Sequence, residues 1–226
     1  MMRTKILFAC VLMFLLPVLA EGKTKPSPKW VGELYEVQDA KQVALVRGTV
    51  GTNANFSFHV KDDEGNWEEV ISCPAYIGKK GWGKTQEGDM LTPRGVFTFT
   101  KAFGINKDPG CPMGYTQVDD THYWVGDSSS ERYNQFVSTR DYDDFNKKDS
   151  EHIIDYKQAY KYCLNISYNF DGVPGAGSAI FLHCQTKNKF TAGCVAIPEK
   201  FMREVLTLVR ENCVVIMDTN DNIKNY

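Results

Sequence analysis

Alternating and continuous runs of apolar residues along the chain predict a mostly β structure. Runs rich in Val, Phe and Leu at 41–48 and 55–61 flank the turn Gly51-Thr52-Asn53, a pattern typical of two paired strands. In the segment 95–103, successive side chains alternate between two sets that would face opposite sides of a strand. This alternation predicts a further strand. Other strands are predicted at 67–77, where Pro74 indicates an edge or a bulge, and at 123–125, 163–168, 179–184 and 213–217.

One clear helical pattern lies near the C-terminus. Pro198 and Glu199 begin it, and an apolar stripe of helical spacing follows, made of Phe201, Met202, Val205, Leu206 and Val209. A second, shorter helix is predicted within 149–160. Many strands with long loops and a late helix predict a mainly β fold, a sandwich or barrel with a helix packed against it.

The N-terminus has the order of a secretory signal peptide. Arg3 and Lys5 precede an apolar run, Ile6 to Leu19, which ends in small residues at Ala20. The alternative is an uncleaved anchor, but the run is shorter than the ~20 residues that a bilayer span needs. We therefore predict a signal peptide at 1–20, a linker at 21–36, one catalytic domain at 37–218 and a tail at 219–226.

The charge balance excludes some classes of partner. The chain has 26 basic and 28 acidic residues, for a net charge of −2. The predicted leader holds basic residues and no acid, so the mature chain is slightly more acidic. Such a surface has no basic footprint for nucleic acid. No integral span is predicted after signal cleavage, and the sequence does not indicate an oligomeric state.

The cysteines leave two interpretations open. The chain has 7 Cys, of which Cys10 lies in the predicted leader. The others form an even set, which in an oxidising compartment is compatible with disulfides. If one of them is a free nucleophile, at least one more is unpaired, and a reducing niche would remove the difficulty. No CxxC pair occurs, so we expect no zinc ribbon, no metal and no cofactor.

The stretch 180–198 carries the candidate chemistry. It reads IFLHCQTKNKFTAGCVAIP. A short apolar run ends at His183, and a turn of small residues ends at Cys194. A thiol needs a nearby base or positive charge to become a thiolate at neutral pH. Backbone N–H groups of a Gly-containing turn can stabilise an oxyanion beside it. The pattern predicts an acyl-transfer enzyme with a cysteine nucleophile, against the alternative of a buried structural cysteine.

A second motif points elsewhere and is set aside. Residues 78–85 read GKKGWGKT, the spacing of a phosphate-binding loop. Such a loop requires a helix N-terminus directly after it, to add its dipole and N–H donors. Here the residues QEGDMLTPRG follow, whose Gly and Pro exclude that helix. We interpret the lysines of this stretch as a solvated basic turn.

The mature chain resembles a known family over roughly Val43 to Met217. The segment from Ile77 reads IGKKGWGKTQEGDMLTPRGVFTFTKAFG and resembles the EGD…TPxGxF region of the L,D-transpeptidase catalytic-domain (YkuD-like) proteins. The segment from His122, HYWVGDSSSERYNQFV, and the segment from Gly177, GSAIFLH, continue the match. TAGCVAIPEKFM, from Thr191, resembles the cysteine motif of the subgroup that has TAGC.

This resemblance implies a β-sandwich-like catalytic fold and chemistry on peptidoglycan stem peptides in the periplasm or cell wall. By carry-over, Cys194 attacks the carbonyl between an L-centre and a D-centre, and His183 is its base. The N–H groups of Gly193 and Cys194 would line the oxyanion site. The acyl-enzyme is then resolved by an amine, as in an L,D-transpeptidase, or by water, as in an L,D-carboxypeptidase. A non-catalytic wall-binding relative is the third alternative.

The chain departs from the commoner family pattern next to the cysteine. Ala192 replaces a second histidine, which leaves His183 as the motif's only histidine. Val195-Ala196-Ile197 replaces a polar or arginine position after the cysteine. Arg94 is therefore a candidate for binding the substrate carboxylate. Thr191 and Asn169 are further candidate contacts, with a structural role as the alternative for both.

Overall fold

The computed structural model describes residues 24–226, and most of its regular structure is β. The predicted leader lies outside the described residues. The strands are β1 Lys25–Pro26, β2 Gln42–Gly48, β3 Asn53–Lys61, β4 Trp67–Tyr76, β5 Gly95–Gly104, β6 Thr116–Gln117, β7 His122–Trp124, β8 Phe136–Ser138, β9 Glu151–His152, β10 Cys163–Ile166, β11 Phe181–Cys184, β12 Val195–Ile197 and β13 Val214–Thr219. The α-helices of this range are α1 Lys29–Glu33 and α2 Glu199–Leu208. The predicted mainly β fold with a packed helix is confirmed.

The main sheet closes on itself. Its strands follow the order β4-β12-β11-β10-β5-β13-β2-β3, and β3 pairs again with β4. Most neighbours are antiparallel, but β11 pairs with β12, and β13 with β2, in parallel. Closure satisfies the backbone groups that edge strands would leave unpaired. The result is a closed barrel, one of the two architectures that the sequence predicted.

The barrel has two apolar faces because successive side chains of a strand point to opposite sides. One face forms the largest core cluster, which includes Phe56, Phe58, Leu182 and Val215. Helix α2 adds Met202 and its neighbours to the same cluster, so the helix packs on the barrel core as its apolar stripe predicts. The opposite face of β10 and β11 forms a separate cluster that adjoins the candidate site.

A small second sheet covers that opposite face. Its order is β8-β7-β9, and it presents Trp124 to the barrel. The Trp124 ring lies 4.8 Å from the Phe181 ring, edge to face, and Phe103 lies 5.2 Å from Phe181. Such aromatic pairs add stability beyond the area that they bury. This packing fixes the second sheet over β11, the strand that carries His183.

The terminal segments differ from the linker and tail that the sequence suggests. Residues 24–36 include α1, whose Val31 packs with Leu34 in a cluster that also holds Ile223. The backbone N–H of Tyr35 donates to the carbonyl of Tyr226, at 2.9 Å. Both segments therefore cover the barrel rather than extend from it. Composition alone missed this, because isolated apolar residues in a Pro-containing stretch have no periodicity.

The second helix predicted within 149–160 is wrong. This stretch contains the short strand β9 and 3-10 turns at Lys147–Asp149, Ile153–Asp155 and Ala159–Lys161. Its side chains make contacts outside the stretch, among them the packing of the Tyr160 ring against the Phe181 ring. Tertiary contacts therefore override the local helical preference here.

A buried histidine in the barrel wall predicts loss of stability in acid. His59 is 1% exposed, and its ring nitrogens bond to the hydroxyls of Ser27 and Ser57. Burial lowers the pKa of His59 to about 4. The unfolded chain binds the proton more readily, so stability is full above pH ~6.5 and falls towards pH 4. The loss amounts to about 3 kcal/mol for a depression of this size.

Urea unfolding at pH 7 and pH 4 measures this effect. The His59→Gln variant is expected to lose less unfolding free energy between the two pH values than the wild type. His152→Gln, which alters a more exposed histidine, is the matched control and should behave as the wild type. Identical pH dependence in wild type and His59→Gln would exclude His59 as the source.

Candidate active site

Two parallel strands bring the candidate nucleophile and base to one face of the barrel. In the register of β11 and β12, His183 pairs with Ala196 and Leu182 with Val195. Cys194 directly precedes β12, so it lies beside Phe181 on the same face as His183. The Phe181 N–H donates to Cys194 Sγ at 3.3 Å, which fits this placement. Residues eleven positions apart thus come together through strand pairing.

Both residues line one cavity of about 590 Å³. Its wall combines the turn 191–194, the loop 84–90 and the irregular stretch 148–160 below the second sheet. The ionisable side chains on this wall are Lys84, Glu87, Lys148, Asp149, Glu151, Tyr156, Tyr160, His183 and Cys194. A cavity of this volume is in the range of ligand-binding pockets, which commonly measure about 300–1,000 Å³.

The Cys194 thiol is buried and protonated. Its Sγ donates to the carbonyl of Ala179 at 3.1 Å. Burial raises the pKa of Cys194 to about 12, and the charge of Glu151 adds to the rise, while Lys84 opposes it. All six described cysteines are free and buried, and burial raises the pKa of each. The structure therefore does not contain a preformed thiolate, which is the form that pairing with a base would favour.

His183 is neutral and oriented as a base. Its Nδ1 lies 2.9 Å from the carbonyl oxygen of Cys184. A carbonyl only accepts hydrogen bonds, so Nδ1 carries the proton and Nε2 keeps a free lone pair. Burial lowers the pKa of His183 to about 4, against the hydrogen bond to Cys184. The imidazole is therefore unprotonated at neutral pH, the form that can accept the thiol proton.

No hydrogen bond joins His183 to Cys194 among the described residues, because the thiol is engaged by Ala179 and Phe181 instead. Catalytic hydrogen bonds are often long or misaligned in ligand-free enzymes and tighten when substrate binds. The resting site thus holds a neutral thiol and a neutral imidazole in the same cavity.

The backbone that receives the thiol is held in an unusual conformation. Ala179 has φ of 55°, in the left-handed region that residues with a Cβ rarely occupy. The side-chain oxygen of Asn134 accepts hydrogen bonds from the Ala179 N–H, at 3.0 Å, and from the Trp124 indole, at 2.8 Å. This half-buried amide ties the second sheet to the loop before β11. It fixes the carbonyl against which Cys194 rests.

The turn before Cys194 is stabilised by hydroxyl groups. The Thr191 hydroxyl donates to the carbonyl of Cys194, at 2.7 Å, and accepts from the Gly193 N–H, at 3.1 Å. The Thr92 hydroxyl donates to the carbonyl of Gly193 at 2.7 Å. The Gly193 N–H is thus engaged, so the oxyanion role implied for it does not match this arrangement. Thr191 lines the cavity but acts in the turn.

The structure does not bring two of the suggested substrate contacts to the cavity. The Arg94 guanidinium is exposed and lies 3.7 Å from the Asp218 carboxylate on β13. Asn169 spends its side chain on the loop that follows it, with its amide donating to Val173 and Gly177 carbonyls. Asn169 therefore takes the structural alternative. Arg94 is not one of the residues that line the cavity.

A buried lysine lies beside the nucleophile turn instead. Lys84 has 2% of its side chain exposed, and its Nζ is 3.0 Å from the Asp89 carboxylate. Its side chain passes so close to Gly177 that a methyl group there would collide with it. Asp89 also accepts N–H bonds from Thr85 and Leu91, which together outweigh the effect of burial and lower its pKa to about 2.

Lys84 belongs to the stretch 78–85, which has the spacing of a phosphate-binding loop. The prediction that Lys84 lies in a solvated turn is wrong. The signal that could have revealed it is Asp89, five residues later in the EGD segment. Glu151 and Tyr160 were also missed, because their stretch was assigned to a helix. Both line the cavity, and only the pairing of β9 with β7 brings them there.

Removal of the Lys84 charge is expected to slow alkylation of Cys194. A cation near a thiol favours the thiolate, so Lys84→Met should raise the Cys194 pKa. One pKa unit corresponds to a labelling rate about tenfold lower at pH 8. Iodoacetamide labelling, followed by peptide mass analysis, locates and times the reaction. The control is Lys84→Met with Asp89→Asn, which avoids an unpaired carboxylate. Equal rates in Lys84→Met and wild type would contradict the effect.

Across residues 24–226, no helix combines the length and apolar character needed to cross a membrane. Within the same range, no three His, Cys, Asp or Glu side chains converge as a metal site would require.

Comparisons with known proteins identify the family of this chain. A model of the family described as YkuD, the L,D-transpeptidase catalytic domain, matches residues 49–217. Among solved structures, the helical cell shape determining protein Pgp2 from Campylobacter jejuni is similar, with a TM-score of 0.41 and 15% sequence identity. That match covers 80% of this chain and 49% of the Pgp2 chain, so this chain spans about half the length of Pgp2. The search of curated proteins finds no match. Because the family model covers well over half of the sequence and spans both His183 and Cys194, the chain belongs to the YkuD family of L,D-transpeptidase catalytic domains.

Proposed function

We propose that this protein is an L,D-transpeptidase that acts on peptidoglycan stem peptides through a thioester formed on Cys194. The observation that carries the proposal is the cavity that both His183 and Cys194 line, with the Nε2 of His183 free to accept a proton. A thiol and a neutral imidazole in one cavity are the components of cysteine-dependent acyl transfer. The TAGC motif at 191–194 supports membership of the subgroup that has this sequence.

The reaction begins with a proton transfer that is coupled to attack. Burial disfavours both a free thiolate and a free imidazolium, so the ion pair forms only as the substrate carbonyl arrives. The thiol proton moves to His183 Nε2 while Sγ bonds to the carbonyl carbon. The carbonyl electrons move to oxygen, which gives a tetrahedral oxyanion. Its collapse breaks the C–N bond, and His183 returns the proton to the leaving amine.

The second half-reaction releases the acyl group from sulfur. An incoming amine attacks the thioester, His183 removes a proton from it, and Cys194 leaves as the thiol. Water in the same position would release a free carboxylate and give a carboxypeptidase. Water is present at ~55 M, so an amine prevails only if it is held in near-attack geometry, where effective molarities reach ~10⁵ M or more. A cavity of about 590 Å³ has room for such an acceptor arm.

The proposed location is the periplasm or cell wall, where stem peptides occur. The apolar segment at 6–19 is the basis for export, and cleavage after Ala20 is proposed with it. The catalytic domain would then begin close to the first described residues, since 24–36 pack on the barrel. The cleft that holds Cys194 would contribute to the affinity for peptidoglycan.

Incubation with a defined tetrapeptide muropeptide, with and without excess acceptor amine, tests the proposal. The expected products by mass analysis are a released D-amino acid and a cross-linked or amine-exchanged peptide. Tripeptide alone in the presence of the amine would mean that water wins, and would favour the L,D-carboxypeptidase. Absence of any new product would favour the non-catalytic relative.

A further inference from the structure

Four lysines that the proposed reaction does not use lie in neighbouring loops of the barrel. Lys79 and Lys80 belong to the turn that follows β4, and Lys187 and Lys189 belong to the connection between β11 and β12. All four are exposed, and none forms an ion pair within residues 24–226. The two pairs are far apart in the sequence, so the overall charge of −2 gives no sign that they meet.

Backbone and hydroxyl contacts hold these loops against each other and against the turn between β2 and β3. The Lys79 N–H donates to the carbonyl of Thr191 at 3.0 Å, and the Thr52 hydroxyl donates to the carbonyl of Lys189 at 2.6 Å. We call the outer surface of the three segments 49–53, 78–82 and 185–191 the basic face. These segments contain no Asp or Glu. The basic face therefore carries four positive charges and no negative charge of its own.

Exposed apolar side chains lie among these lysines. Val50, in the turn between β2 and β3, is 81% exposed, and Phe190 is 36% exposed. The Lys79 ammonium lies 5.3 Å from the centre of the Phe190 ring, so positive charge and apolar surface are interleaved. A single exposed apolar residue is ordinary on a protein surface. Apolar side chains flanked by lysines, however, are typical of a surface that lies on a membrane, where the cations meet anionic headgroups.

We propose that the basic face binds the surface of an anionic phospholipid bilayer. Each lysine close to such a surface strengthens binding by about fivefold. Val50 and Phe190 add apolar contact with the headgroup and acyl-chain boundary, which a soluble anionic polymer does not offer. This apolar component favours a membrane over a polymer as the partner.

The inference goes beyond the proposed function and does not depend on the reaction. The basic face adjoins the catalytic cavity, because Asn188 and Phe190 belong to both. A protein held on a bilayer in this way keeps its cavity close to the lipid surface. It would therefore act on the stem peptides nearest to the membrane.

Cosedimentation with lipid vesicles tests the inference. The protein is the chain from Glu21 onward, the proposed mature form, which keeps every described residue. The vesicles are phosphatidylcholine alone or an equal mixture of phosphatidylcholine and phosphatidylglycerol. We expect the wild type to bind the mixed vesicles about 100-fold more tightly or better, and less tightly at high salt. Lys187→Gln combined with Lys189→Gln should lower the affinity for mixed vesicles by about 25-fold, fivefold for each charge. Val50→Ser should lower it by about threefold to tenfold through lost apolar contact.

Lys41→Gln combined with Lys107→Gln is the matched control, because it removes the same charge from two exposed lysines at the opposite end of the barrel. Lys41 precedes β2, and Lys107 follows β5, which is antiparallel to β13, the parallel neighbour of β2. This control should bind vesicles as the wild type does.

Two results with vesicles would overturn the inference: no binding of the wild type to mixed vesicles, or an equal loss of affinity in the two double variants. Binding to soluble polyphosphate without binding to vesicles would assign the basic face to an anionic polymer and would overturn it as well. Circular dichroism confirms that each variant is folded. Substrate is absent from these assays, so their outcome is distinguishable from success or failure of the proposed reaction.

Discussion

Replacement of Cys194 by alanine is expected to reduce turnover of tetrapeptide muropeptides by about 10⁴-fold or more, the scale seen when a catalytic nucleophile is removed. The reason is that Sγ forms the thioester, and no other thiol among the described residues can reach the same carbonyl. Cys194 lies at the end of a turn held by Thr191 and Thr92, so the alanine variant keeps these hydrogen bonds. Its fold should persist.

Product mass analysis and a thermal unfolding scan check the two halves of this prediction. Cys213→Ala is the matched control, because Cys213 is equally buried but belongs to the barrel core away from the cavity. It should cost some stability through a small cavity while turnover per folded molecule stays near that of the wild type. An alanine variant at Cys194 that still forms product would rule out the thioester.

Replacement of His183 by glutamine is expected to lower kcat/KM by about 10²- to 10⁴-fold, the usual contribution of a general base. The pH profile is the sharper test. The neutral imidazole is the active form, and the pKa of His183 is lowered to about 4. Activity should therefore stay near its plateau as pH falls through 6.5 and decline only near pH 4, provided that the protein remains folded.

His152→Gln serves as the control for this profile, because His152 pairs with Asp155 away from the cavity. It should leave both the plateau and the acid limb unchanged. Circular dichroism at each pH separates loss of the base from unfolding. An acid limb at the ordinary histidine pKa of about 6.5 would show that His183 is solvated during turnover.

Local sequence was sufficient for the parts of the fold that depend on local patterns. The strands with alternating side chains and helix α2 follow from periodicity, and their bounds agree to within a few residues. The proximity of His183 and Cys194 depends on the pairing of β11, which carries His183, with β12, which Cys194 directly precedes. Barrel closure likewise does not follow from local patterns, because it depends on the register between β2 and β13.

The contacts that sequence missed are those between distant segments. The sequence predicts a solvated Lys84, but in the structure Asp89 and the turn at Gly177 enclose its side chain. Glu151 and Tyr160 looked helical, because nothing in their spacing reveals a strand pair with residues 122–124. The sequence predicts that Arg94 binds substrate, but in the structure its guanidinium lies beside the Asp218 carboxylate. Charged side chains carry little periodic signal, so tertiary context decides their roles.

The parallel pair of β2 and β13 determines the order in which this protein can assemble. Val43 pairs with Val214, so one of the first strands waits for the last described strand before it can complete its hydrogen bonds. Pairing across such a sequence separation is slow, and a growing chain cannot close the barrel before β13 leaves the ribosome. Until then β2 and β5 each present an open edge, the kind of surface that recruits other chains. The barrel can therefore complete its hydrogen bonds only after residues 214–219 have been synthesised.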